Sequence, residues 1–247
     1  MMMKINKWLA APAAALLLMT GSSAYADSMT LAGGEVMDMG AAVSVYPGER
    51  SFFGSQFHDW LMKPDVTESM EKALESTSIF PKDKGFEKEF SEMAVSILRS
   101  GKVYQVRSVA NGTYYQGMVV SLALSDADML KISVYKDMKD EKAEAAKKDN
   151  KAGKDDIFDE ANALFHGTVS VDDHSKWKEG KSSEGVMYRT GDARISLNKN
   201  GFLLPLYVRG IITRGEGKTV YTAFIADQAS GKYFSPLFEK ALKGTKK

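Results

Sequence analysis

The period of the apolar positions changes along the chain, and the changes divide it into elements. Phe86, Phe90, Met93, Ala94, Ile97 and Leu98 recur at helical spacing, and Gly101 stands where a C-terminal cap belongs, which predicts an amphipathic helix. A helix before it is predicted from Asp65 and Glu68, spaced as a capping box, with Val66, Met70, Ala73, Leu74 and Thr77 on one face ahead of Pro81. The period then falls to two. Runs at 103–110 and 113–124 flank Asn111-Gly112, a pair that readily takes the positive φ angles of a type I′ turn, so a hairpin is predicted. Leu130, Ile132 and Val134 alternate again after Ser125-Asp126-Ala127-Asp128 and predict a third strand, completing a meander.

Residues 136–156 break the pattern with seven lysines and seven acids. Too few apolar groups are present there to offset ordering, so a solvated helix or linker is predicted. Ile157, Ala161, Leu164 and Phe165 mark a short helix, and 168–185 reads as polar and loop-rich. A second meander is predicted at about 185–198, 201–213 and 218–227, turned by Asn200-Gly201 and by Gly215-Glu216-Gly217. Its middle strand is apolar on both alternations, which implies a central position, while Pro205 predicts a bulge or a local edge. Ser235 as N-cap, Pro236 at the first helical position and Gly244 past the end predict a closing helix. Residues 27–60 are less patterned. They hold a short strand at 42–46, stopped by Pro47-Gly48, and then Phe52, Phe53, Phe57 and Trp60 crowded together.

The fold class is therefore α+β: antiparallel β-meanders packed with amphipathic helices in a layered sandwich. The alternative is two small α+β lobes joined by the charged stretch. The segments are 27–135, 136–156 and 157–247, the first and last forming either one domain or two.

The first 26 residues carry an address. Lys4 and Lys7 precede an apolar run from Trp8 to Thr20, and Ala24-Tyr25-Ala26 supplies the small-x-small pattern of a signal-peptidase site before Asp27. The run is shorter than the ~20 apolar residues a spanning helix needs, and Pro12 interrupts it. The expectation is an exported bacterial protein, periplasmic or extracellular, with no transmembrane segment once the leader is removed. With no cysteine in 247 residues, it is not a lipoprotein. The same absence excludes disulfides, thiolate zinc sites and cysteine nucleophiles. Cleavage would leave 221 residues with a net charge of −1 in place of +1. That charge gives no reason to expect a nucleic-acid partner. Residues 27–156 sum to −5 and 157–247 to +4, a split that screening weakens and that reads as dispersed surface charge.

Candidate chemistry is sparse. The histidines are His58, His166 and His174, and no HExxH pattern occurs. Asp172-Asp173-His174 offers carboxylates and an imidazole, but consecutive loop residues rarely converge on one ion. His58-Asp59 beside Trp60 is the other acid–base pair, read first as a structural histidine among aromatics. Gly180-Lys181-Ser182-Ser183-Glu184-Gly185 misses the spacing of a nucleophile elbow, and Gly215-Glu216-Gly217-Lys218-Thr219 lacks the leading glycine and following helix of a phosphate loop. Asp126-Ala127-Asp128 supplies too few oxygens for calcium. No catalytic residue, cofactor or metal site is assigned. The expected function is a non-catalytic binding module for an envelope protein, a wall polymer or a small ligand. Its contact surface would comprise Phe52, Phe53, Phe57 and Trp60, or the basic residues Arg189, Arg194, Arg209 and Arg214, with Arg194 and Arg209 on one sheet face. A secreted hydrolase using His58 with Asp59, or His174 with Asp172 and Asp173, is the alternative.

Overall fold

A computed structural model describes residues 27–48, 59, 62–68, 84–131, 169–199, 202–215 and 217–246. Ten strands are described: β1 (Ser28–Thr30), β2 (Val36–Asp38), β3 (Ser44–Pro47), β4 (Lys102–Ala110), β5 (Thr113–Ser125), β6 (Val169–His174), β7 (Lys178–Lys181), β8 (Met187–Lys199), β9 (Phe202–Gly215) and β10 (Lys218–Ala226). Two long helices accompany them, α1 (Lys84–Ser100) and α2 (Gln228–Lys243). β1 and β2 form a hairpin of their own. The other eight strands make one antiparallel sheet in the order β3-β4-β5-β10-β9-β8-β6, with β7 also paired to β8.

Local chemistry accounts for the sharpest features. Asn111 (φ 50°) and Gly112 (φ 72°) both adopt positive φ, as a type I′ turn requires, and join β4 to β5 in unbroken register. β8 and β9 run in register from Tyr188 opposite Thr213 to Lys199 opposite Phe202. β10 then lies between β9 and β5, with Phe224 opposite both Arg209 and Val119. The two expected meanders therefore belong to one sheet, and separate lobes do not form. Their union is a long-range pairing between β5 and β10, strands about a hundred residues apart.

One face of this sheet carries the core. Alternate residues Val220, Phe224 and Ala226 of β10, Tyr207 and Ile211 of β9, Val119 of β5 and Val106 of β4 are buried against Phe234, Phe238, Ala241 and Leu242 of α2. Met29, Leu31, Met37 and Met39 of the β1–β2 region close the same core. Phe224 lies at its centre, its ring centroid 5.4 Å from that of Phe234 and 4.7 Å from that of Phe238. Each such ring contributes about 2 kcal/mol by burial. Tyr115 stacks on Tyr233 at 4.1 Å, fixing the first half of α2 over β5. The N-terminal hairpin is held by Thr213 Oγ1, which donates to the buried Glu35 Oε1 at 2.9 Å, and by paired backbone bonds between Val36 and Lys246. On the other face, α1 ends beside β5, where Gly101 lies against Leu122, and Trp177 covers Gly210 and Gly191.

Several expectations are corrected. Residues 126–131 are helical, so the third strand begun at Leu130 does not form there. Ser125-Asp126-Ala127-Asp128 is a capping box: the Ser125 hydroxyl and amide donate to Asp128 Oδ2 at 2.6 and 3.1 Å, and the Asp128 amide donates to Ser125 Oγ at 3.1 Å. The closing helix starts eight residues ahead of Pro236. Asp227 caps it, accepting from the amides of Ala229 and Ser230 at 2.9 Å and from the Ser230 hydroxyl at 2.6 Å, and Pro236 stands inside the helix. Its expected end at Gly244 is found. The stretch 168–185 contains β6 and β7, whose polar sequences suit strands beside the sheet's rim. Pro205 occupies the local edge expected of it: β9 pairs with β10 only from Tyr207 onward, so 202–206 have β8 alone as a neighbour. The helix predicted from Asp65 is described only at 66–68, where Val66 is buried against Val95 of α1. Residues 132–168, including the charged stretch and the short helix at Ile157, lie outside the described residues.

Candidate interaction surface

Arg209 and Arg194 do fall on the same sheet face, but in opposite environments. Alternation along β9 puts Arg209 among the buried residues, 2% exposed, and pairs it directly with Asp192 of β8. Its Nε donates to Asp192 Oδ1 at 2.6 Å and its Nη2 to Oδ2 at 3.0 Å, the two-pronged geometry a guanidinium favours. Its Nη1 donates to the Ser235 carbonyl at 2.6 Å, and Nη2 reaches Ser235 Oγ at 3.0 Å and Glu239 Oε1 at 3.4 Å. Pro236, which lacks an N–H, breaks the hydrogen-bond ladder of α2 beside that carbonyl. Arg209 thus fastens the interrupted helix to the sheet and is unavailable as a contact residue. Tyr207 completes the network by donating to Asp192 Oδ1 at 2.5 Å.

The network's electrostatics are consistent throughout. Burial and the bond to Asp192 push the Tyr207 phenol up to about 12. Burial alone would raise the Asp192 carboxyl, but the bonds from Arg209 and Tyr207 outweigh it and hold Asp192 below the ordinary carboxylate range. Burial would lower Arg209, yet Asp192 at bonding distance leaves it raised.

Arg194 is exposed and bonds to Asp173 on β6 at 2.5 Å. That bond is the main reason why the Asp173 carboxyl lies below its usual value. The neighbouring Asp172 is engaged differently, accepting from Ser196 Oγ at 2.6 Å and from Ser170 Oγ at 3.1 Å. A register shift between Val171 and Asp173 separates the two carboxylates. His174 Nδ1 lies 3.4 Å from the Ser175 carbonyl. The run Asp172-Asp173-His174 is thus drawn into strand pairing rather than gathered around one point. Among the described residues, no group of three or more histidine and acidic side chains is arranged to hold a metal ion. Arg189 pairs with Glu179 at 3.3 Å, and Arg214 is exposed. Phe52, Phe53, Phe57, His58, Trp60 and His166 lie outside the described residues, as do Ala24 and Ala26. Asp27 is described, and its carbonyl accepts from the Met39 amide at 2.7 Å.

A groove of about 400 Å³ runs between α1 and the helical turn at 126–131, lined by Glu89, Glu92, Met93, Ser96, Ile97, Asp128 and Lys131. Its acids include Asp128, whose carboxylate is already committed to the capping box.

The most distinctive surface is one that sequence reasoning passed over. β10 ends at Ala226, but β5 continues past it to Thr113 and β9 to Phe202. Two hairpins therefore project at the same end of the sheet, their inner strands about 10 Å apart, two strand spacings. Val109 and Tyr114 oppose one another on one tip, 69% and 44% exposed; Leu203 and Leu204 stand on the other, 69% and 55% exposed. These are four of the eight large apolar side chains exposed among the described residues, so the exposure is concentrated. Concentrated apolar exposure of this kind marks contact surfaces. The signal was present as two Asn-Gly turns with apolar residues close by, Val109 and Tyr114 at one and Leu203 and Leu204 at the other, but an apolar strand end looks the same in sequence whether it is buried or bare.

No protein-family model, no curated protein and no solved structure matches this chain.

Proposed function

We propose that this chain is an exported protein of the bacterial envelope or its surroundings that binds a protein partner, without catalysis, through the paired hairpin tips. The observation that supports the reading best is the clustering of Val109, Tyr114, Leu203 and Leu204 at one end of a continuous sheet. The strands beneath them are tied into the core through β10 and α2, so the tips are held in fixed relation. A preorganised apolar surface loses little entropy when a partner covers it. Export rests on the leader, and cleavage before Asp27 would keep the Asp27 carbonyl that closes the first hairpin. A layered sandwich suits the same reading: α2 and the β1–β2 hairpin cover one face, and a second layer over the other would leave the tips as the free end.

The double substitution Val109→Asp with Leu204→Asp tests the proposal. Both positions are exposed, so unfolding stability is expected to change by no more than about 0.5 kcal/mol. Cross-linking to an envelope protein is expected to fall at least ten-fold. Undiminished cross-linking by the double variant would refute the assignment.

A further inference from the structure

The end of the sheet opposite the tips gathers cations from separate elements. α2 finishes there, tied to the β7–β8 turn by the Ser183 amide, which donates to the Lys243 carbonyl at 2.8 Å. Lys246 follows, paired through its backbone with Val36. Lys218 opens β10 opposite Gly215 and Ser125, and Arg214 precedes the same turn. Lys181, Arg214, Lys218, Lys243 and Lys246 are all exposed, and none of them enters an ion pair with another of the described residues. Among the described residues the exposed acids on the adjoining turns are Glu184 and Asp126; with Glu216, which lies between Arg214 and Lys218 in sequence and outside the described residues, three acids stand against five cations.

Part of this has an internal cause, because a lysine in the last turn of α2 offsets the helix dipole. That cause does not extend to Lys181, Arg214 and Lys218, which stand on strands. Two exposed apolar side chains accompany the cations. Met187 lies directly opposite Lys181 in the β7–β8 ladder and is 53% exposed, and Leu130, in the turn after β5, is 65% exposed. Cations alone suit any polyanion. Cations beside projecting apolar groups suit a bilayer, which offers anionic headgroups above hydrocarbon.

We propose that this end of the molecule docks on an anionic lipid bilayer. The surface is independent of the hairpin tips, and the two proposals fail separately. The test is sedimentation of the purified exported chain with phosphatidylcholine–phosphatidylglycerol vesicles and with pure phosphatidylcholine vesicles. Binding is expected to the anionic vesicles only and to weaken as salt is raised. Lys218→Glu with Lys243→Glu should weaken it roughly ten-fold or more. Lys178→Glu with Lys232→Glu, an equal change in net charge placed elsewhere, should leave it unchanged, as should the tip substitutions. Equal losses in the two charge-reversed pairs would overturn the proposal. So would equal binding to neutral vesicles, or binding to soluble polyphosphate with none to vesicles.

Discussion

A buried arginine is costly unless its donors are used, and Arg209 spends all three of its nitrogens on Asp192, Ser235 and Glu239. Removing it takes from Asp192 its paired charge, leaving the Tyr207 hydroxyl as donor, and takes from the Ser235 carbonyl a donor at 2.6 Å. Arg209→Ala is expected to lower unfolding free energy by about 3 kcal/mol in urea titrations. Arg209→Lys should recover little, because an ammonium cannot reproduce the two-pronged bond. The same network predicts the pH response at both extremes. The Tyr207 phenol is raised from an ordinary 10 to about 12, so the folded state favours its neutral form. Its contribution is complete below pH 10 and is lost as pH rises towards 12; Tyr207→Phe should flatten that part of the stability curve. Asp192 is depressed, so its contribution is present above the ordinary carboxylate range and is lost as pH falls through the folded value. Asp192→Asn should therefore lose less stability than the parent protein below about pH 4. None of this network was legible in sequence. Asp192 and Arg209 are seventeen residues apart, and only the β8–β9 register makes them partners.

Elements were legible where local chemistry decides them. Asn111-Gly112 with period-two runs on either side specified a hairpin, and the strand ends fell within a residue or so of expectation. The misassigned elements have specific causes. Leu130 begins an alternating pattern, but the Ser125–Asp128 capping box turns the backbone at 126–131 into helix. Ser235-Pro236 carries a helix-start signature, yet Asp227 captures two amides and a hydroxyl eight residues earlier. Arg209, arriving from β9, anchors the Ser235 carbonyl beside Pro236. Two substitutions test these local causes. Gly112→Ala meets open space but an unfavourable positive φ, and is expected to cost about 1 kcal/mol in chemical denaturation. Ser125→Ala should cost about 1 kcal/mol as well, with faster hydrogen exchange confined to 126–131. A cost of zero at Ser125 would remove the capping box as the reason that segment is helical.

At the scale of the whole molecule, the two ends of one sheet differ in chemistry. Apolar hairpin tips stand at one end, and exposed cations gather at the other. The modest charge asymmetry read from the sequence becomes a localised surface only when the strands are ordered, because Lys181, Lys218 and Lys243 come from three elements. The α+β class was legible from composition and period, but the single sheet was not, since β5 and β10 pair across about a hundred residues with four other strands between them in sequence. If the leader is processed as read, mass spectrometry of the exported protein will find Asp27 at its N-terminus; an intact Met1 on exported protein would contradict the assignment. The central claim is that the tips meet a protein partner, and photo-cross-linking in cells that produce the protein tests it most directly. With a photoreactive residue placed in turn at Tyr114, Leu204 and, as a control, Glu179, the account predicts protein adducts from the two tip positions and none from the control. Adducts from all three positions alike, or from none of them, would contradict it.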